Sequence, residues 1–162
     1  MKRIDKNNYY LDIAETTLER STCIRRKWGA VIVKNDEIIS TGYNGAPRGR
    51  KNCNELGYCM REKLNIPRGE RYELCRSVHA EQNAIISAPR KDMIDATLYI
   101  VGINVNDGSY VSKSMPCAMC KRVIINSGIK NIVLRDKKDE YRKILVNEFI
   151  ENDDSLDGSL GY

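Results

Sequence analysis

The chain has 162 residues, of which 41% are hydrophobic and 30% charged, and a formal net charge of +5. That balance fits one soluble domain with a single core, and no apolar run approaches the roughly 20 residues that a membrane-spanning helix needs. The positive charge suits an anionic ligand, but it is not gathered into the dense basic stripe of a nucleic-acid binder. Met1-Lys2-Arg3-Ile4-Asp5-Lys6 lacks the apolar stretch of a signal peptide, so a cytoplasmic protein is expected. Its six cysteines would then stay reduced, as metal ligands or buried thiols rather than disulfides.

In chain order, helical spacing of Tyr10, Ala14, Thr17 and Leu18 predicts a first helix from about Asn8 to Arg20. Trp28 to Lys34 and Glu37 to Tyr43 are β-branched runs on either side of Asn35-Asp36, and they read as a hairpin. Asn44 to Arg76 carries glycine, proline, charge and three cysteines without a sustained period, and a stretch that long needs a function or a staple. A second helix is expected near His79 and must stop by Pro89, since proline cannot continue the hydrogen-bond ladder. Ala96 to Gly102 reads as a third strand. Pro116 and Gly128 bracket a helix over Cys117 to Ser127, which leads into a strand at Asn131 to Arg135. A last helix is expected over about Glu140 to Ile150. The order α-β-β-α-β-α-β-α predicts a three-layer α/β/α domain over residues 1–150, with a mixed central sheet of one antiparallel hairpin and crossover connections elsewhere. Residues 151–162 read as an acidic tail that frays in solvent.

The chemistry is concentrated in two short motifs. His79-Ala80-Glu81 contains the only histidine, and Pro116-Cys117-Ala118-Met119-Cys120 follows after a long gap. Thiols at i and i+3 of a helix's first turn face one side, where the dipole and the free amides favour thiolates. One imidazole and two thiolates make three zinc ligands, a count that leaves a fourth tetrahedral position open to water, as in catalytic rather than structural sites. If His79 also opens its helix, two helix N-termini converge on one ion. Glu81 is then placed to move protons without ligating the metal. Either half alone is weak, since a lone histidine is usually structural and a lone C-x-x-C is as often a redox pair or a closed zinc site. Together they match the H-x-E and P-C-x-x-C signature of zinc nucleobase deaminases.

With Thr41-Gly42-Tyr43-Asn44-Gly45-Ala46-Pro47-Arg48-Gly49 and His79-Ala80-Glu81-Gln82-Asn83-Ala84 added, the chain over about Ser21 to Arg135 resembles the deoxycytidylate (dCMP) deaminases. The Gly-Tyr-Asn-Gly turn is the discriminating piece, because the two zinc motifs also occur in tRNA adenosine, cytidine, guanine and riboflavin-pathway deaminases. The resemblance implies the cytidine-deaminase fold, one catalytic Zn2+ per subunit on His79, Cys117 and Cys120, Glu81 as the proton carrier, and hydrolysis of dCMP to dUMP and ammonia. It also implies a homo-oligomer, commonly a hexamer, activated by dCTP and inhibited by dTTP. Gly42, Tyr43, Asn44, Gly45, Pro47 and Gly49 resemble the nucleotide-effector region, where Mg2+ would accompany the nucleotide. Asn44, Ala80 and Arg25 are the candidate substrate contacts. Arg25 and Arg26 lie just before the first strand, where a guanidinium fork would suit a 5′-phosphate, although Arg25 could equally be solvated surface charge and Asn44 an ordinary turn residue.

Cys23, Cys53, Cys59 and Cys75 remain, and four thiols is the number that closes a structural zinc site. A subset of the resembling enzymes carries such a second zinc. Scattered buried cysteines are the plainer alternative. A tRNA adenosine deaminase is the nearest rival function, and a zinc-stapled binding module without activity is the rival from another class. The non-ligand carboxylate of Glu81 argues against the module.

Overall fold

The computed structural model describes residues 1–157. The chain runs α1 (Lys6–Leu18), β1 (Arg26–Lys34), β2 (Glu37–Tyr43), two short helices α2 (Cys53–Leu56) and α3 (Met60–Lys63), a 3-10 turn (Tyr72–Leu74), and α4 (Ala80–Ile86). It continues through α5 (Arg90–Met93), β3 (Thr97–Asn104), α6 (Ala118–Ser127), β4 (Asn131–Lys137), β5 (Glu140–Leu145), α7 (Asn147–Glu151) and a last 3-10 turn (Asp154–Leu156).

The strands form one mixed sheet in the order β2-β1-β3-β4-β5, in which β3 and β4 are parallel and the other three pairings antiparallel. Successive strand residues face opposite sides, and the buried side chains divide accordingly. Ala30, Ile32, Leu98, Ile100, Ile132 and Leu134 pack with Ala80 and Ala84 of α4 and with Cys120 and Ile124 of α6. Val31, Val33, Tyr99, Val101 and Val133 pack with Tyr10, Leu11, Ala14 and Leu18 of α1. The result is the expected three-layer α/β/α arrangement. Asn35 and Asp36 both take positive φ, 51° and 62°, as a two-residue hairpin turn between right-twisted strands requires. On the α1 face Arg135 is almost wholly buried. Its guanidinium pins α1 to β4 through Asp12 Oδ1 at 2.8 Å, Glu15 Oε2 at 2.7 Å and Asn8 Oδ1 at 3.1 Å.

The helix expected over Glu140 to Ile150 is instead a strand followed by one short helix. Pairing with β4 supplies the reason: Ile144 lies opposite Ile132 and Arg142 opposite Leu134. Ile144 thereby packs on one core cluster and Tyr141 on the other, an alternation only a strand provides. The sheet therefore has two hairpins and a single parallel pairing. Pro89 ends the run after His79 as expected, but it also caps the additional short helix α5. The acidic segment at 151–162 extends past the described residues. Within them, Asp154 pairs with Lys121 of α6 at 2.6 Å.

Candidate active site

The two motifs arrive at one point because each stands at the start of a helix on the same face of the sheet. His79 is the N-cap of α4, where its backbone N–H donates to Gln82 Oε1 at 3.0 Å. Cys117 is the N-cap of α6, and Cys120 lies in that helix's first turn with no exposed surface. His79 Nδ1 lies 3.5 Å from Cys117 Sγ and 3.3 Å from Cys120 Sγ. Zinc bonded to nitrogen at about 2.05 Å and to sulfur at about 2.3 Å in tetrahedral geometry requires ligand atoms about 3.6 Å apart, so this triad fits a zinc ion. Among the described residues it is the only trio of histidine, cysteine or acidic side chains gathered within 4.8 Å.

The electrostatics follow from burial and mutual contact. A hydrogen bond from the Cys120 thiol holds Cys117 toward its thiolate against the pull of burial, and His79 adds to the effect. Cys120 is pushed up as the donor of that bond and by burial, so filling the site with metal releases a proton. Burial disfavours a charged imidazole at His79, but hydrogen bonds to Cys117 and Cys75 outweigh it and raise its pKa. Glu81 is 9% exposed, and burial raises its carboxyl above the usual range although His79 opposes the shift. A carboxyl so placed holds a proton more readily than an exposed glutamate does, as a proton carrier must.

A cavity of about 140 Å³ opens over these groups, where a single water needs only about 10–15 Å³ by the same measure, so there is room for a ring. His79, Ala80, Glu81, Cys117, Asn44 and Arg25 all line it. Asn44 is largely committed elsewhere. Its Oδ1 accepts from Ser21 Oγ at 2.5 Å and from Trp28 N at 2.8 Å, while Nδ2 donates to Arg26 O at 3.0 Å. One Nδ2 hydrogen is left for a ligand. Arg25 Nε pairs with Glu62 at 3.0 Å, at the exposed margin of the cavity.

Residues predicted for an effector contribute to placing the triad. Gly42 lets α4 approach β2 so closely that a Cβ there would lie 2.3 Å from Ala80 O. Gly45 exchanges backbone hydrogen bonds with Val78, 3.2 and 2.8 Å, directly before His79. Asn83 Nδ2 donates to Tyr43 O at 2.7 Å. Gly49 lies exposed beyond them with φ of 86°, and Pro47 is half-buried.

Cys23, Cys59 and Cys75 line the same cavity, and Cys53 is buried outside that lining. Burial raises the Cys53 thiol, and Cys23, Cys75 and Cys59 each add to the shift. No three of the four come within the 4.8 Å that the first triad satisfies.

Arg26, named with Arg25 for the phosphate, lines the cavity as well, whereas sequence reasoning missed Trp28, Arg61, Arg68, Tyr72 and Ser114. For Trp28 a signal existed, because period-2 alternation puts it on the same strand face as Ala30 and Ile32, the face carrying both motif helices. Arg61, Arg68 and Tyr72 come from the aperiodic stretch, where nothing local announces them. Arg61 is 6% exposed, with its guanidinium stacked 4.4 Å from the Tyr72 ring, and that ring meets His79 edge to face at 5.6 Å.

Residues 4–135 match the family model for the cytidine and deoxycytidylate deaminase zinc-binding region. The chain is 38% identical to the deoxycytidylate deaminase of Mycobacterium phage D29 over 138 residues, which covers 82% of this chain and 96% of that one. It is 35% identical to the deoxycytidylate deaminase of Schizosaccharomyces pombe over 127 residues, 78% of this chain but only 36% of that longer protein. The crystal structure of dCMP deaminase from the cyanophage S-TIM5 superposes with a TM-score of 0.56 at 26% identity, covering 85% of this chain and 88% of that one. A cytidine deaminase from Burkholderia pseudomallei shares the fold, with a TM-score of 0.57 at 16% identity. The matched span contains all three ligands at zinc spacing and the buried carboxylate beside them, and on that ground the chain belongs to the cytidine and deoxycytidylate deaminase family.

Proposed function

We propose that this protein deaminates dCMP hydrolytically to dUMP and ammonia. The observation that carries the reading is Glu81, a buried carboxyl beside the His79–Cys117–Cys120 triad on the floor of a ring-sized cavity. Zinc on the triad would supply the Lewis acid that lowers the pKa of water toward about 7. Glu81 takes a proton from the attacking water and passes it to the pyrimidine ring nitrogen as the water oxygen bonds to the ring carbon, giving a tetrahedral adduct. Glu81 then takes the remaining proton of the new hydroxyl and gives it to the amine, so that the carbon–nitrogen bond breaks, ammonia leaves and the carbonyl of dUMP forms. Ala80, Asn44 and Trp28 surround the ring, and the arginines at the cavity margin, Arg25 first among them, take the 5′-phosphate. The named activities of the phage D29 and cyanophage relatives support dCMP as the substrate.

On this reading residues 1–150 form the catalytic domain and the protein works in the cytoplasm as a homo-oligomer, a hexamer by resemblance. A dCTP activator with Mg2+ and a dTTP inhibitor would act through the exposed part of the 42–49 segment. A second zinc on Cys23, Cys53, Cys59 and Cys75 has the support of ligand supply and of the other three thiols lying close enough to raise Cys53, with the metal itself drawing the set together. Ammonia release from dCMP, deoxycytidine and an adenosine-containing tRNA stem-loop tests the central reading. Turnover confined to the stem-loop, or absent on all three with the triad loaded, overturns it.

A further inference from the structure

Pro116 and Cys117 are reached through a segment that has little reason of its own to hold still. Lys113 takes a left-handed φ of 54°, Met115 is 46% exposed, and no strand or helix contains residues 112–116. Yet Ser114, Met115 and Pro116 form one wall of the cavity. What holds them comes from the β4–β5 hairpin. Arg142 Nη2 donates to Ser114 O at 2.7 Å, and Arg142 Nη1 lies 3.6 Å from Met115 Sδ. The same guanidinium pairs with Asp136 through Nε at 2.6 Å and Nη2 at 3.1 Å. Asp136 Oδ1 in turn accepts the Lys113 backbone N–H at 2.6 Å, which fixes the left-handed turn. Arg142 lies opposite Leu134, a cavity-lining residue, so the register of the hairpin points it at the site face of the sheet.

We propose that Arg142 is a positioning residue: with Asp136 it buckles segment 113–116 in place as the wall against which substrate binds. It touches none of the metal ligands. Cys117 and Cys120 are placed independently by α6, whose Cys120 and Ile124 are core residues. Loosening the wall should therefore weaken ligand binding while leaving metal and chemistry in place. The fork matters as well as the charge, because a lysine cannot donate to Asp136 and to the Ser114 carbonyl in the same planar geometry.

The kinetic part rests on the dCMP reading, so the test has one readout that depends on it and one that does not. Arg142→Gln and the milder Arg142→Lys are compared with wild type, both loaded with zinc. Amide hydrogen exchange over residues 111–115 should accelerate at least tenfold in both variants while exchange in α6 stays unchanged. The KM for dCMP should rise at least tenfold in Arg142→Gln with kcat within threefold and zinc content unchanged. Unaltered exchange at 111–115 overturns the proposal. So does a joint fall of kcat, zinc content and melting temperature in Arg142→Lys, which marks a residue needed only for folding. A wild type without activity on dCMP refutes the substrate reading alone, since the exchange measurement still decides whether Arg142 holds the wall.

Discussion

Gly42→Ala adds one methyl group at the closest approach of β2 to α4. The new Cβ would stand 2.3 Å from Ala80 O and 2.4 Å from Ala84 N, where ordinary contact begins near 3.4 Å. Both atoms are helix backbone, so no rotamer change relieves the clash and one element must yield by about 1 Å. Overpacking of this kind costs about 1–3 kcal/mol, and a rigid backbone on both sides places it in the upper half. For a chain of this size the melting temperature should fall by roughly 5–10 °C. The displaced residue Ala80 lies between His79 and Glu81, so the movement reaches the site directly. A 1 Å misplacement can cost about 100-fold in rate, and kcat/KM for dCMP should drop by that order, with weaker zinc retention. Thermal denaturation, zinc analysis and turnover on one preparation measure all three. Gly57→Ala is the control: φ there is 74° but nothing lies within 4 Å of its Cβ, so it should cost about 1 kcal/mol of backbone strain and no activity. A Gly42→Ala protein within 0.5 kcal/mol of wild type and fully active would refute the packing argument and return Gly42 to the effector reading.

Glu81→Gln should keep zinc and fold but lose about 10²–10⁴-fold in turnover, because the amide preserves shape and cannot carry the proton. Activity near wild type with full metal content would remove Glu81 from its assigned role. dCMP should be preferred to deoxycytidine by more than tenfold, since a charge-assisted phosphate contact contributes about 1.5–3 kcal/mol, and Arg25→Ala should erode that preference. An equal loss on both substrates would leave the phosphate to another arginine of the cavity, with Arg26 the first to examine. Cys53→Ser should lower zinc by one equivalent of two while Cys117→Ser removes activity and spares the other ion. A single equivalent in the wild type, with Cys59 open to a thiol reagent, would exclude the four-thiol site.

The sequence alone determined the chemistry of the triad, because one histidine, one C-x-x-C pair and helix starts at both motifs are local facts. Pro116 and Gly128 marked the ends of α6, and β-branched alternation marked the strands, since these signals act within a few residues of where they stand. It could not determine residues 140–150. Their pattern supports a short helix in isolation, and only the free edge of β4, with Leu134 and Ile132 waiting for partners, turns them into β5. The same limit hid Arg142 from the site, since its partners Asp136 and Ser114 are joined to it by hairpin register and by the path of a loop. Arg61 and Tyr72 were illegible for the same reason, because the stretch that carries them takes its shape from what it packs against. Asn44 shows the converse: its turn motif stood out in the sequence, but only the tertiary structure shows its carboxamide committed to β1. Local backbone preference is written in neighbouring residues, whereas the choice of pairing partner is a competition among distant surfaces that the folded chain alone resolves.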